Sequence, residues 1–202
     1  QGTAGVSEAG FLEVTARAAS VRLLCLDVDG VLTDGTVQLD DLGHETKRFN
    51  AKDGLGISLW RRLGGEVAVI TGRAGLAVRH RLEELGVRHL YSGSHDKLKD
   101  LHAAAEACGV PLSAVAFVGD DLPDLPAMRA CGYPVSVHDA AAEVRAAAAF
   151  VTAASGGHGA VRETVEHLLR TQDRWNEALA MFDPSASRAS GARGGDERPR
   201  SL

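Results

Sequence analysis

The sequence predicts a three-layer α/β sandwich, with a mainly parallel, doubly wound sheet and a small β-hairpin flap after strand one. Three observations predict it. Short apolar runs recur along the chain, and several stop abruptly at Asp-Gly, Thr-Gly or Gly-Asp-Asp. Stretches of helical periodicity, about ten residues long, fill the gaps between them. Between the first run and the first of those helices, residues 30–50 leave no room for a helical crossover. Strands alternating with helices of that length imply right-handed βαβ units and a parallel sheet.

The elements follow in order. Residues 1–20 are Ala- and Gly-rich and form an N-terminal extension, with a short helix expected at 11–19. Residues 23–28 are an apolar run stopped by Asp-Gly, the pattern of a strand buried on both faces. Residues 36–39 and 44–49 flank Asp40-Asp41-Leu42-Gly43 and read as a hairpin with a four-residue turn containing Gly. Further strands are expected at 67–70, 88–91, 115–118, 134–137 and 149–151. Helical periodicity covers 54–63, 75–85, 96–108, 122–130, 140–147 and 160–170. From residue 183 the chain is rich in Ser, Arg, Gly and Pro, and Leu202 is its single large apolar residue. That composition predicts a disordered tail at 183–202 and leaves one domain at 21–182.

Composition bounds the function. Hydrophobic residues make up 45% of the 202, so an ordinary core is available. Aromatics are 4%, so Ala, Val and Leu must build it. The net charge of −5 argues against a nucleic-acid partner, because a phosphate backbone wants a basic face. Cys25, Cys108 and Cys131 are widely spaced, which fits neither a zinc site nor a disulfide framework. An odd count without a secretory signal predicts a cytoplasmic protein. No window approaches the roughly 18 apolar residues of a membrane span, so no membrane association is expected.

The polar residues gather where the strands end, which is where open α/β sheets bind ligands. Asp27, Asp29 and Asp34 follow the first run, and Thr71, Gly72 and Arg73 the second. Lys97 opens a helix after the third, and Asp120, Asp121 and Asp124 follow the fourth. Asp27 and Asp29 are two apart, so a continuing strand would point both side chains the same way. Neighbouring strands would bring at least three carboxylates together, which raises a pKa or recruits a cation. Hard oxygen ligands suit Mg²⁺. Taken singly, each Asp also suits a turn or helix cap, Thr71 an ST-turn and Lys97 an exposed helix. As a set they supply a nucleophile, an acid/base, donors for a phosphoryl group and a metal site, the parts of phosphoryl transfer through an aspartyl-phosphate. No GxxxxGK[ST] loop exists, so a P-loop NTPase is excluded.

The stretch Asp27-Val28-Asp29-Gly30-Val31-Leu32-Thr33-Asp34-Gly35 resembles motif one of the haloacid dehalogenase superfamily. Ile70-Thr71-Gly72-Arg73, Lys97 and Gly119-Asp120-Asp121-x-x-Asp124 resemble its other three motifs. The spacing is especially similar to the 3-deoxy-D-manno-octulosonate 8-phosphate phosphatase family. That similarity extends to residues 49–54 and 156–163, although His158 stands where the family pattern carries Arg.

The resemblance implies Mg²⁺ as cofactor and an aspartyl-phosphate at Asp27. Asp29 would be the general acid/base, with Thr71 and Lys97 on the phosphoryl group. The metal set would be Asp27, the Asp29 carbonyl and Asp120, supported by Asp121 and Asp124. Substrate contacts would fall on Thr33, Gly72, Arg73, Arg81 and Lys97, with Arg73 and Arg81 as candidates for the sugar-acid carboxylate. The partner would be a small anionic sugar phosphate, in lipopolysaccharide precursor synthesis, and the assembly a homotetramer whose hairpins close neighbouring sites. The alternatives are a phosphatase of a nine-carbon keto-sugar acid 9-phosphate and a catalytically silent assembly domain. A response-regulator receiver is excluded by motif order, since its acidic pair precedes a separate phosphoacceptor Asp.

Overall fold

The computed structural model describes residues 8–183. A helix α1 (Glu8–Ala19) leads into strand β1 (Leu23–Leu26). A small hairpin follows, of β2 (Gln38–Leu39) and β3 (Glu45–Thr46), then α2 (Ala51–Arg62). The chain then alternates: β4 (Glu66–Thr71), α3 (Leu76–Glu84), β5 (His89–Ser92), α4 (Lys97–Ala107), β6 (Val115–Gly119), α5 (Leu125–Ala130), β7 (Tyr133–Ser136), α6 (Ala142–Ala147) and β8 (Phe150–Val151). Two helices close it, α7 (Ala160–Thr171) and α8 (Trp175–Ala180).

The main sheet has six strands in the order β5-β4-β1-β6-β7-β8, and every neighbouring pair is parallel. From β1 the chain winds outward through β4 and β5, then returns to build β6, β7 and β8 on the other side. The winding therefore reverses between β1 and β6, and a crevice opens at their carboxyl ends. Leu26 sits opposite Val118, so the residues just past these strands face each other across that crevice.

The sheet is apolar because it is covered on both faces. All of β1 and β6 is buried, and so is all of β4 except Glu66. Fully burying one Val or Leu side chain contributes about 1.5–3 kcal/mol. Helices α2 and α7 approach closely, and Gly56 permits it: a Cβ there would lie 2.9 Å from the Arg162 Cα. Helix α1 docks on the domain, with Ala18 buried and the Arg17 Nε donating to the Gly132 carbonyl at 2.7 Å.

All six expected strands are present, and β1 is shorter than expected. It ends at Leu26, so Asp27 and Asp29 lie past the strand and period-two alternation does not govern their side chains. The helix expected at 122–130 is divided into a 3-10 turn, Leu122–Asp124, and α5. Pro126 causes this, because a continuous helix would need its N–H to bond the Leu122 carbonyl, whereas Pro123 sits in the first turn, where no N–H is used. Helix α8 has no counterpart in the sequence reading. The tail expected at 183–202 lies, beyond Asp183, outside the described residues. Among the described residues no helix is long and apolar enough to cross a membrane.

Candidate active site

The site begins with the strand that ends one residue early. The Asp27 N–H donates to the Val118 carbonyl at 3.1 Å, which continues the β1–β6 ladder one rung and fixes the Asp27 backbone. The chain then curls. The N–H groups of Val31, Leu32 and Thr33 all point at the Val28 carbonyl, at 2.9–3.2 Å. Gly30 makes the curl possible with φ +89°, and a Cβ at this position would collide with the Asp120 carboxylate. The loop and Asp120 can meet because nothing stands between them.

Two segments distant in sequence brace this loop. The Gly157 N–H donates to the Val31 carbonyl at 2.9 Å, and a Cβ on Gly156 or Gly157 would strike the backbone of Gly30, Thr33 or Asp34. The Asn50 amide donates to the Gly157 carbonyl at 3.2 Å. Asp53, buried in α2, accepts from the N–H groups of Gly159 (3.2 Å) and Arg162 (2.9 Å) at the start of α7. His158 does not reach the cleft, since its Nδ1 bonds the Gly156 carbonyl at 2.7 Å. The matched segments at 49–54 and 156–163 thus hold the loop from behind.

At the strand ends the carboxylates converge. Asp27, Asp120 and Asp124 each bring an oxygen within 4.8 Å of the other two. Asp124 also accepts from the N–H groups of Asp120 and Asp121, at 3.0 and 3.3 Å, which fixes the turn after β6. Lys97 reaches in from the first turn of α4, with Nζ 2.9 Å from Asp27 Oδ1 and 2.5 Å from Asp124 Oδ1. Its position is set by Asp96, which caps α4 by accepting from the Lys99 N–H at 3.0 Å.

The electrostatics of this group are unbalanced. Burial, followed by the charge of Asp124, pushes Asp27 up to about 6, although Lys97 pulls the other way. Burial, followed by the charges of Asp27 and Asp124, pushes Asp120 up to about 8. Burial disfavours the Lys97 charge, but Asp27 and Asp124 outweigh it and raise its pKa. Three carboxylates, those of Asp27 and Asp124 buried and that of Asp120 half-buried, share one ammonium, and a hard divalent cation fits the remaining charge and the all-oxygen donor set.

These residues floor an open cleft of about 850 Å³. Thr71, Gly72 and Arg73 line one wall at the end of β4, with Ser94 and Lys97 beside them. The buried Thr71 hydroxyl accepts from the Arg73 N–H at 3.3 Å. The Ser94 hydroxyl oxygen is buried and without a hydrogen-bond partner among the described residues.

Some expected placements change. Asp29 lines the cleft, but its carboxylate does not join the other three; it is paired with Lys47 of the hairpin. Thr33 does not line the cleft: its buried hydroxyl donates to the Val28 carbonyl and accepts from the Gly35 N–H, both at 3.3 Å. Arg81 is also absent from the cleft of this chain. It pairs with Glu84 at 2.8 Å and packs over Gly54, where α2 has no side chain. Lys47 and Glu45 were missed, because charged residues on a hairpin read as a solvated face. The Glu45 carboxylate in fact lies 3.1 Å from both Lys47 Nζ and an Arg73 guanidinium nitrogen.

Comparison with known proteins places this geometry. The haloacid dehalogenase-like hydrolase family matches residues 51–132. The 3-deoxy-D-manno-octulosonate 8-phosphate phosphatase KdsC of Escherichia coli (strain K12) is 43% identical over 166 residues, 82% of this chain and 88% of that one. The chain belongs to the 3-deoxy-D-manno-octulosonate 8-phosphate phosphatase family. Among solved members of that family, the Moraxella catarrhalis enzyme, in complex with magnesium ion, phosphate ion and KDO, has a TM-score of 0.82 and 39% identity. The match covers 85% of this chain and 98% of that one. The cobalt-bound Haemophilus influenzae phosphatase has a TM-score of 0.79 and 34% identity, covering 86% of this chain and 99% of that one. Asp27, Asp120, Asp124 and Lys97 stand together at one crevice of this chain.

Proposed function

We propose that the protein is a Mg²⁺-dependent phosphatase that hydrolyses 3-deoxy-D-manno-octulosonate 8-phosphate to the free sugar acid and phosphate, in lipopolysaccharide precursor synthesis. One observation carries the reading. Asp27, fixed past β1, shares a cluster with Asp120, Asp124 and Lys97 at the wall formed by Thr71.

Asp27 is the nucleophile. Lys97 holds one of its oxygens and leaves the other to attack phosphorus. The ester P–O bond breaks as the Asp27–phosphorus bond forms, and Asp29 gives its proton to the departing alkoxide. A water then attacks phosphorus, its proton passes to Asp29, and the Asp27–phosphorus bond breaks. Asp27, Asp120 and the Asp29 carbonyl would hold the metal, with Asp124 and Asp121 fixing the turn that presents Asp120. When bound, Mg²⁺ offsets the repulsion between carboxylate and phosphate and stabilises the charge on the transferring group. Thr71, the Gly72 backbone and Lys97 bind the phosphoryl oxygens, and Arg73 is placed to meet the sugar-acid carboxylate. The buried Ser94 hydroxyl is available to the same ligand.

The proposal extends to a cytoplasmic homotetramer, in which the hairpin meets a neighbouring site. Its exposed Leu39 and Leu42 support this, as apolar side chains that the single chain leaves in water. The deciding experiment is phosphate release from a panel of sugar phosphates, with Mg²⁺ or EDTA, on wild type and Asp27→Asn. Mg²⁺-dependent release from the eight-carbon keto-sugar acid phosphate that disappears in the variant supports the reading. No release from any keto-sugar acid phosphate overturns it.

A further inference from the structure

The hairpin strands are two residues each, and the hairpin exposes Val37, Leu39 and Leu42. Such an element has almost no core of its own. Lys47, just after β3, is nevertheless sealed from water, with 2% of its side chain exposed. A buried ammonium is costly unless paired. Its partners are the Asp29 carboxylate and Glu45 Oε1 at 3.1 Å. Arg73 completes the group, 3.1 Å from Glu45 Oε1 and 3.9 Å from Asp29 Oδ2. Glu45 therefore holds both cations, and one of them, Lys47, clamps Asp29.

Asp29 needs such a clamp. It sits in a loop past β1 and outside the three-carboxylate cluster, and among the described residues its carboxylate is held by side chains alone, Lys47 and Arg73. Proton transfer to a departing oxygen demands a carboxyl fixed in direction as well as in distance. We propose that Lys47 is a positioning residue that aims the Asp29 carboxyl at the leaving oxygen, so that the hairpin takes part in the chemistry. This rests on the phosphatase reading above.

The leaving group provides the test. An alkyl phosphate must be protonated as its P–O bond breaks; an aryl phosphate such as p-nitrophenyl phosphate departs as a stable anion. Lys47→Met keeps the length of the side chain and removes the charge. In it, kcat/KM for the sugar phosphate should fall about 100-fold, while that for p-nitrophenyl phosphate should fall less than about 5-fold. Lys47→Arg should restore about tenfold of the loss, and Lys47→Met should cost nothing further in an Asp29→Asn background. Glu45→Gln, which keeps the Lys47–Asp29 pair, should show the same leaving-group bias at smaller size and serves if Lys47→Met does not fold. Equal losses on both substrates, or additive losses in the double variant, overturn the assignment while leaving the phosphatase reading standing. Wild type inactive on both substrates overturns the phosphatase reading, and this assignment with it.

Discussion

Two charged groups contribute residues to the cleft, and they differ in balance. The deep group, Asp27, Asp120, Asp124 and Lys97, counts three acids and one base, a formal 1 − 3 = −2. The shallow group, Asp29, Glu45, Lys47 and Arg73, counts two of each, a formal 2 − 2 = 0. The deep group hangs on strands β1 and β6 and the first turn of α4, elements the core holds rigidly. The shallow one spans a loop, the hairpin and the end of β4. Imbalance on a rigid frame makes a site that demands a cation. Balance on a lighter frame makes a group that orients its own members.

The largest effect expected is at the deep group. Asp27→Asn should lower turnover on the order of 10⁴-fold or more, since no other described carboxylate can take its place as nucleophile. In EDTA the same variant should melt higher than wild type, because it relieves repulsion among buried carboxylates. A lower melting point would show that Asp27 is stabilised as it stands. Next comes Lys97→Met, which strips the described counter-charge from Asp27 and Asp124. Removing one partner of a buried ion pair costs about 3–5 kcal/mol, and urea unfolding in EDTA should read a loss of that order. Added Mg²⁺ should recover part of that stability but little of the activity.

A pH series sharpens the comparison further. Asp27 and Asp120 titrate higher in the folded chain than at their ordinary value, at about 6 and about 8. The folded state therefore binds more protons than the unfolded state between the ordinary value and those pKa values. Stability contributed by this pair is present at low pH and is lost as pH rises through the window. In EDTA the melting temperature should fall between about pH 5 and pH 8, and Mg²⁺ should flatten that fall. A melting curve indifferent to Mg²⁺ at the upper end would break the contrast between the two groups. The smallest effect on the single chain belongs to the hairpin tip. Leu42 is 82% exposed, so Leu42→Ser should change folding stability by no more than about 0.5 kcal/mol. Sedimentation is the sensitive readout there, with loss of the proposed tetramer expected. A wild type that sediments as a monomer would remove the proposed neighbour.

The deep group was legible in the sequence and the shallow one was not, for a physical reason. Asp27 interrupts an apolar run, and Asp120 and Thr71 each follow one. A strand buried on both faces announces its own end, and parallel order then brings the ends together. Lys97 was found by its place in the first turn of a helix. Lys47 and Glu45 gave no such signal, because whether a hairpin lysine is wet or buried depends on what the hairpin lands on. Thr33 shows the converse: a hydroxyl inside a motif was taken by the curl of its own loop. Arg81 lies on α3 facing Gly54 of α2, and packing between helices decided its direction. The break between the 3-10 turn and α5 was written in Pro126, yet apolar periodicity ran across it.

The clasp of Gly157 on Val31 joins residues 126 positions apart. All six strands of the sheet are complete by Val151, five residues before Gly156. A growing chain that has just finished its sheet therefore still lacks the backbone partner that secures the loop after β1. Synthesis must run through the glycine segment and the start of α7 before the loop is braced from behind. On the ribosome, the loop that carries Asp27 is braced only after the sheet around it is already in hand.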